Sequence, residues 1–140
     1  MIDPIKLSSK IAASGLEAQS MRMRIVSENL ANAQSTGQTP GSDPYGRKVI
    51  TFDSEVDRDT GVNFVKIDSI EADQEPFRLE HNPSHPAADA NGYVKMPNVN
   101  MLTEMADMRE AGRAYDANLQ SIKQAREMIS MTIDLLRSSG

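Results

Sequence analysis

Residues 101–136 read MLTEMADMREAGRAYDANLQSIKQAREMISMTIDLL, and the spacing of their apolar side chains decides the fold. Met101, Met108, Tyr115, Ile122, Ile129 and Leu136 recur at heptad spacing, and Met105, Gly112, Leu119, Arg126 and Ile133 fill the companion position. Two such rows lie on one face of a helix and predict a coiled-coil-like stripe. Asn100 and Glu104 stand where the free amides of a helix start want acceptors, and Pro97 lies just outside the pattern.

The other end of the chain has the same grammar. Ile2, Ser9, Leu16, Met23 and Leu30 form one row, and Ile5, Ala12, Gln19, Val26 and Ala33 form the other. Asp3 and Pro4 suit an N-cap and the first helical position, and Gly37 suits a left-handed stop. A helix is therefore expected over residues 1–36 and another over 99–140. Gly15 and Gly112 cost such helices about 1 kcal/mol each relative to Ala, which fits a close approach of two backbones. Gln19 and Arg126 interrupt the rows and suit a role in fixing register.

Between the helices, residues 37–98 hold six of the seven Pro and eleven Asp/Glu against six Lys/Arg. Val49–Phe52 and Val62–Ile67 have strand composition and flank the turn Asp59-Thr60-Gly61. Short strands are expected at Pro76–Glu80 and, after Asn91-Gly92, at Tyr93–Met96. The fold class that follows is mainly α, with a small β-rich insert and long terminal helices forming a coiled-coil-like pair. With three Phe, three Tyr, no Trp and nine Met, the chain has little for a dense core and much for adaptable helix seams.

Composition excludes several functions. There is no Cys, so disulfide and thiolate chemistry are absent. The acidic middle repels phosphate backbones and neither end is basic enough to attract them, which argues against nucleic acid. No stretch is apolar enough to span a bilayer, so direct membrane insertion is not expected, and the start lacks the apolar run of a cleaved signal. His81 and His85 have a helical metal spacing, but Pro83 and Pro86 forbid that helix. Around Gly61 an EF-hand register would need carboxylates at Val56 and Ile67. The run Asp53, Glu55, Asp57, Asp59 could supply a glycosidase pair only if one carboxyl entered an apolar pocket; a solvated turn is the simpler reading. Nothing points to catalysis, a metal or a cofactor.

Two stretches carry more than periodicity. GLEAQSMRMRIVSENLANAQSTG (15–37) resembles the N-terminal signature of flagellar rod and hook proteins, through Leu16, Ala18, Asn29-Leu30-Ala31-Asn32 and Gly37. EMADMREAGRAYDANLQ (104–120) resembles their C-terminal signature, through Met105, Met108, Arg113-Ala114-Tyr115 and Ala117-Asn118. HNPSHPAADANGYVKMPNVN (81–100) and PYGRKVITF (44–52), with the shortness of the insert, are similar to the proximal-rod members of the flagellar basal-body rod protein family.

The resemblance implies a structural subunit, not an enzyme, exported by the flagellar type III system without a cleaved signal. It would join the rod that crosses the periplasm and transmits motor torque. The partners implied are other rod proteins, the adaptor between rod and export gate, and copies of the chain itself. Seams and signatures together nominate an assembly interface. On the first helix it comprises Leu16, Met23, Val26, Asn29, Leu30 and Asn32. On the last it comprises Met105, Met108, Arg113, Tyr115, Asn118, Leu119, Ile122, Ile129, Ile133 and Leu136. The rivals are a generic coiled-coil adaptor, which has no reason to contain DANGYVKMPNV, and a rod-associated wall hydrolase.

Overall fold

The computed structural model describes residues 3–140. Its elements are α1 (Pro4–Ala31), β1 (Lys48–Val56), β2 (Asn63–Ala72), β3 (Arg78–His81), β4 (Tyr93–Met96) and α2 (Met101–Ser138). The mainly α architecture with a small β insert is thus observed. The expected seam position Ile2 lies outside the described residues.

Both helix starts follow their caps. The Asp3 carboxylate accepts the Ile5 amide at 2.9 Å, with Pro4 in the first turn. Asn100 accepts the amides of Leu102 at 3.1 Å and Thr103 at 3.4 Å. Glu104 does not share in that cap, because its side chain is fully buried and used elsewhere. α1 stops earlier than expected. The Asn32 side-chain amide and its backbone N–H both donate to the Glu28 carbonyl and close the last turn there. Gly37 is not a left-handed cap; a Cβ on it would lie 1.8 Å from Ser42 Oγ, so it is required for close packing of the following loop.

α1 and α2 pack side by side and antiparallel, with Gly15 against Asn118, Arg22 near Asp107 and Glu110, and Asn29 against Glu104. At 1.5 Å per residue they are about 42 and 57 Å long. α2 therefore runs past the start of α1, and every residue from Ser130 to Gly140 is exposed.

The buried line differs from the expected stripe by one residue in each helix. Ala12 and Val26 on α1, and Ala33 just past its end, are buried as expected, but their companions are Gly15 and Asn29, not Leu16 and Leu30, with Ala18 and Ile25 beside them. On α2 the buried row is Glu104, Ala111 and Ala125. The row Met108, Tyr115, Ile122 and Ile129 is half-buried beside it, and Met105 is 58% exposed. Small residues hold the line because they let the two backbones approach.

The two seam glycines separate on this point. A Cβ on Gly15 would lie 2.7 Å from Asn118 Nδ2, whereas one on Gly112 meets nothing within 4 Å. Gly112→Ala should therefore stabilise the chain by about 0.5–1 kcal/mol, and Gly15→Ala should give no such gain. Urea denaturation of the two variants checks this.

β1 and β2 form an antiparallel hairpin with an irregularity between Thr51 and Phe52, where Asp68 drops out of the strand register. Asp57 closes its turn by accepting the amides of Asp59 and Thr60, and Gly61 takes the positive φ of 69° that the turn requires. A two-stranded hairpin is marginal alone. This one lies along α1, where Ser14 Oγ accepts the Val65 amide at 3.3 Å. The second antiparallel pair, β3 with β4, carries the small cluster of Ala87, Val94 and Met96.

Candidate functional site

The hairpin enters and leaves the molecule at one point, where a knot of polar side chains joins five segments. Asn29 on α1 is its centre and is 1% exposed. Its Oδ1 accepts the Lys48 amide at 2.9 Å and the Tyr45 hydroxyl at 2.8 Å. Its Nδ2 donates to the Lys48 carbonyl at 2.8 Å and to Glu104 Oε2 at 3.2 Å. All four hydrogen-bonding positions of the amide are occupied. Toward Lys48 the side chain acts as a strand would, satisfying both backbone groups of β1's first residue.

Arg47 is the second hub. Its guanidinium donates to Glu104, to Asp73 Oδ2 at 2.9 Å, and lies 3.8 Å from Asp107 Oδ2. Its backbone amide donates to Asn98 Oδ1 at 2.7 Å, and Asn98 Nδ2 donates in turn to the Glu75 carbonyl at 2.8 Å. The buried Glu104 carboxylate is thereby paired with Arg47 before β1 and bonded by Asn29 on α1, as a buried acid requires. Burial pushes the Tyr45 phenol above its ordinary value, so the hydroxyl stays protonated and remains a donor.

Asp73 gives the knot a pH dependence. The Glu75 amide at 2.9 Å, and after it Arg47, hold the Asp73 carboxyl below its ordinary value against the opposing effect of partial burial. A carboxyl depressed by folding contributes stability at pH above its unfolded value of about 4 and loses it as pH falls through the folded value. Asp73→Asn should accordingly be less stable than the natural chain at neutral pH, with the difference shrinking as the pH falls. Thermal midpoints measured from pH 7 to pH 3 check this.

The nominated interface residues divide by position. Val26 and Asn29 are buried, and Asn32 is the C-cap. Leu16, Met23 and Leu30 on α1, and Met108, Tyr115, Asn118, Leu119, Ile122 and Ile129 on α2, are half-buried. Met105, Arg113, Ile133 and Leu136 are exposed. The structure does not gather them into one patch; they flank the helix pair along its length. Arg47, Tyr45, Asp73, Asn98 and Glu104 were not nominated as interface residues. The signal for Arg47 was its place beside the strand in PYGRK, one of few cations in an acidic segment.

The two histidines serve loop structure. His85 Nδ1 accepts the Ala87 amide at 2.9 Å and its Nε2 lies 3.2 Å from Thr36 Oγ1, while His81 packs edge-on against Tyr93. The acidic run 53–59 is on the exposed hairpin and its turn, where Glu55 pairs with Lys66 at 3.4 Å. Glu55 and Asp57 line an open groove together with Val56, Arg58 and Phe64.

Comparison with known proteins places this geometry. Residues 10–37 match a family model described as flagella basal body rod protein. Residues 90–135 match one described as flagellar basal body rod FlgEFG protein C-terminal. A flagellar basal-body rod protein FlgC of Agrobacterium fabrum is 61% identical over 99% of both chains. One of Salmonella typhimurium is 40% identical over 89% of this chain and 92% of its own. One of Borreliella burgdorferi is 37% identical over 93% and 96%. Sharing these identities over nearly its whole length, the chain belongs to the family of flagellar basal-body rod proteins FlgC.

Proposed function

We propose that the chain, a structural subunit of the flagellar rod and not an enzyme, polymerises through its terminal helices to transmit motor torque. The observation that carries this reading is the number of large apolar side chains that α2 leaves uncovered toward both of its ends. Met101, Leu102, Met105, Met128, Met131 and Leu136 are each 49–78% exposed on a helix whose seam uses Ala and Asn. So many large apolar side chains exposed on one helix are what an assembly interface would cover. In the assembly the nominated residues of both helices complete coiled-coil-like contacts with copies of the chain and other rod proteins, including the adaptor at the export gate. The division into 1–36, 37–98 and 99–140 then separates two axial helices from an insert that makes lateral contacts. The subunit reaches the periplasm through the flagellar type III channel without a cleaved signal, and among the described residues no helix is long and apolar enough to cross a membrane.

Burying a Leu or Ile contributes roughly 1.5–3 kcal/mol, so an Asp at such a site removes it and adds a charge. A strain deleted for the gene should regain swimming with the natural chain and stay non-motile with Leu16→Asp or Ile122→Asp. Full swimming with both variants would refute polymerisation through these helices.

A further inference from the structure

The chain contains eight Asn, and only Asn91 is followed by Gly. An Asn-Gly pair is the dipeptide most open to spontaneous deamidation, because Gly puts no side chain in the way of the backbone nitrogen. That nitrogen attacks the Asn Cγ, ammonia leaves, and water opens the resulting succinimide to an aspartyl or an isoaspartyl link. In the folded chain the attacking nitrogen is held elsewhere. The Gly92 amide donates to the Asp89 carbonyl at 3.0 Å, and the Gly92 carbonyl accepts the Asn82 amide at 2.9 Å. Asp89 Oδ1 accepts the amides of Asn91 at 2.9 Å and Tyr93 at 3.0 Å, which fixes the residues on both sides. Gly92 is buried at a positive φ of 82°, where a Cβ would lie 2.9 Å from Pro83 Cγ and 3.2 Å from His81 Nε2. Asn91 itself is exposed, so water reaches its side-chain amide while the nucleophile is kept away.

We infer that Asn91 is a site of spontaneous deamidation that folding closes, and that its isoaspartyl product prevents the β3–β4 unit from re-forming. To reach the Asn91 Cγ, the Gly92 nitrogen must give up the Asp89 carbonyl and turn within the wedge of Pro83 and His81. The reaction therefore waits for the turn to open. In the unfolded chain nothing detains it. The isoaspartyl link routes the main chain through the side-chain methylene and lengthens the turn by one carbon. Gly92 can then no longer bond Asp89 and Asn82 at once, and Val94 and Met96 lose their place beside Ala87. The aspartyl link keeps the backbone and adds only an exposed charge. Time spent unfolded is thus written into the chain as a change that folding cannot undo.

Trypsin, cutting after Arg78 and Lys95, releases residues 79–95 as one peptide, in which chromatography with mass spectrometry separates the Asn, aspartyl and isoaspartyl forms. The full chain is incubated at neutral pH, folded in buffer or unfolded in guanidinium chloride. Deamidation at Asn91 should be slower in the folded chain by about tenfold or more. Equal rates would overturn the closure. Asp89→Ala removes the acceptor of two turn amides and should raise the folded-state rate about fivefold; an unchanged rate would contradict the geometry. After transfer out of denaturant, isoaspartyl chains should leave the Asn82 and Tyr93 amides unprotected in hydrogen exchange, whereas Asn91→Asp should protect them as the natural chain does. Protection in the isoaspartyl chains, or its loss in Asn91→Asp, would overturn the claim that backbone length blocks refolding.

Discussion

Asn29→Asp is expected to lower the thermal unfolding midpoint by roughly 10 °C, the equivalent of about 3 kcal/mol in a chain of this size. The substitution keeps size and both acceptor positions, so the contacts from Lys48 and Tyr45 survive. What disappears is the pair of N–H donors. The Lys48 carbonyl loses its partner, and a new carboxylate is forced against the buried Glu104. Two acids on one side of Arg47 leave one of them uncompensated where water does not reach. Gln offers the same groups one bond further out and cannot place all four bonds at once. A differential scanning measurement on both variants decides, and a midpoint within 2 °C of the natural chain would show that the clasp contributes little, since about 1 kcal/mol would already shift it further.

Ala111→Leu is expected to cost about 1–3 kcal/mol. Ala111 is 0% exposed in the helix seam, so three added carbons have no space unless α1 and α2 separate. Separation would also stretch the Asn29–Glu104 contact two turns away. Met105→Ala, six residues along the same helix, should leave the midpoint unchanged, because Met105 is 58% exposed. The contrast identifies which row of α2 holds the subunit together. Equal losses in the two variants would contradict the seam described.

How much of this was legible in the sequence depends on what each feature leaves locally. The Asp3-Pro4 start, the Asn100 cap, the Asp59-Thr60-Gly61 turn and β4 at Tyr93–Met96 are each set by neighbouring residues, and all were readable. The seam was readable to within one residue. A heptad search rewards large apolar side chains, and it selected Leu16 and Met105. The closest approach of two backbones instead takes Gly15, Ala18, Ala111 and Ala125. That displacement is informative, since a chain whose large side chains served only its own fold would bury them. α1 ended five residues early because Asn32 satisfies the Glu28 carbonyl, a bond no periodicity reveals. The clasp was the least visible part. Arg47, Asp73, Asn98 and Glu104 come from separate segments; the first three each read in isolation as a solvated polar residue and Glu104 as a cap, and only the return of β2 beside the start of β1 brings Asp73 to Arg47. Asn29 was nominated through the rod signature, but its four bonds needed the fold.

The central claim is that small and polar residues build the subunit while the outward apolar residues build the rod. It is tested most directly by imaging basal bodies, by electron cryotomography, in cells whose only copy carries Met105→Asp and Leu136→Asp. Both positions are exposed, so the subunit itself should be unaffected and the exported chain should accumulate. The expected result is basal bodies without a completed rod. Rods of normal length in these cells would contradict the claim.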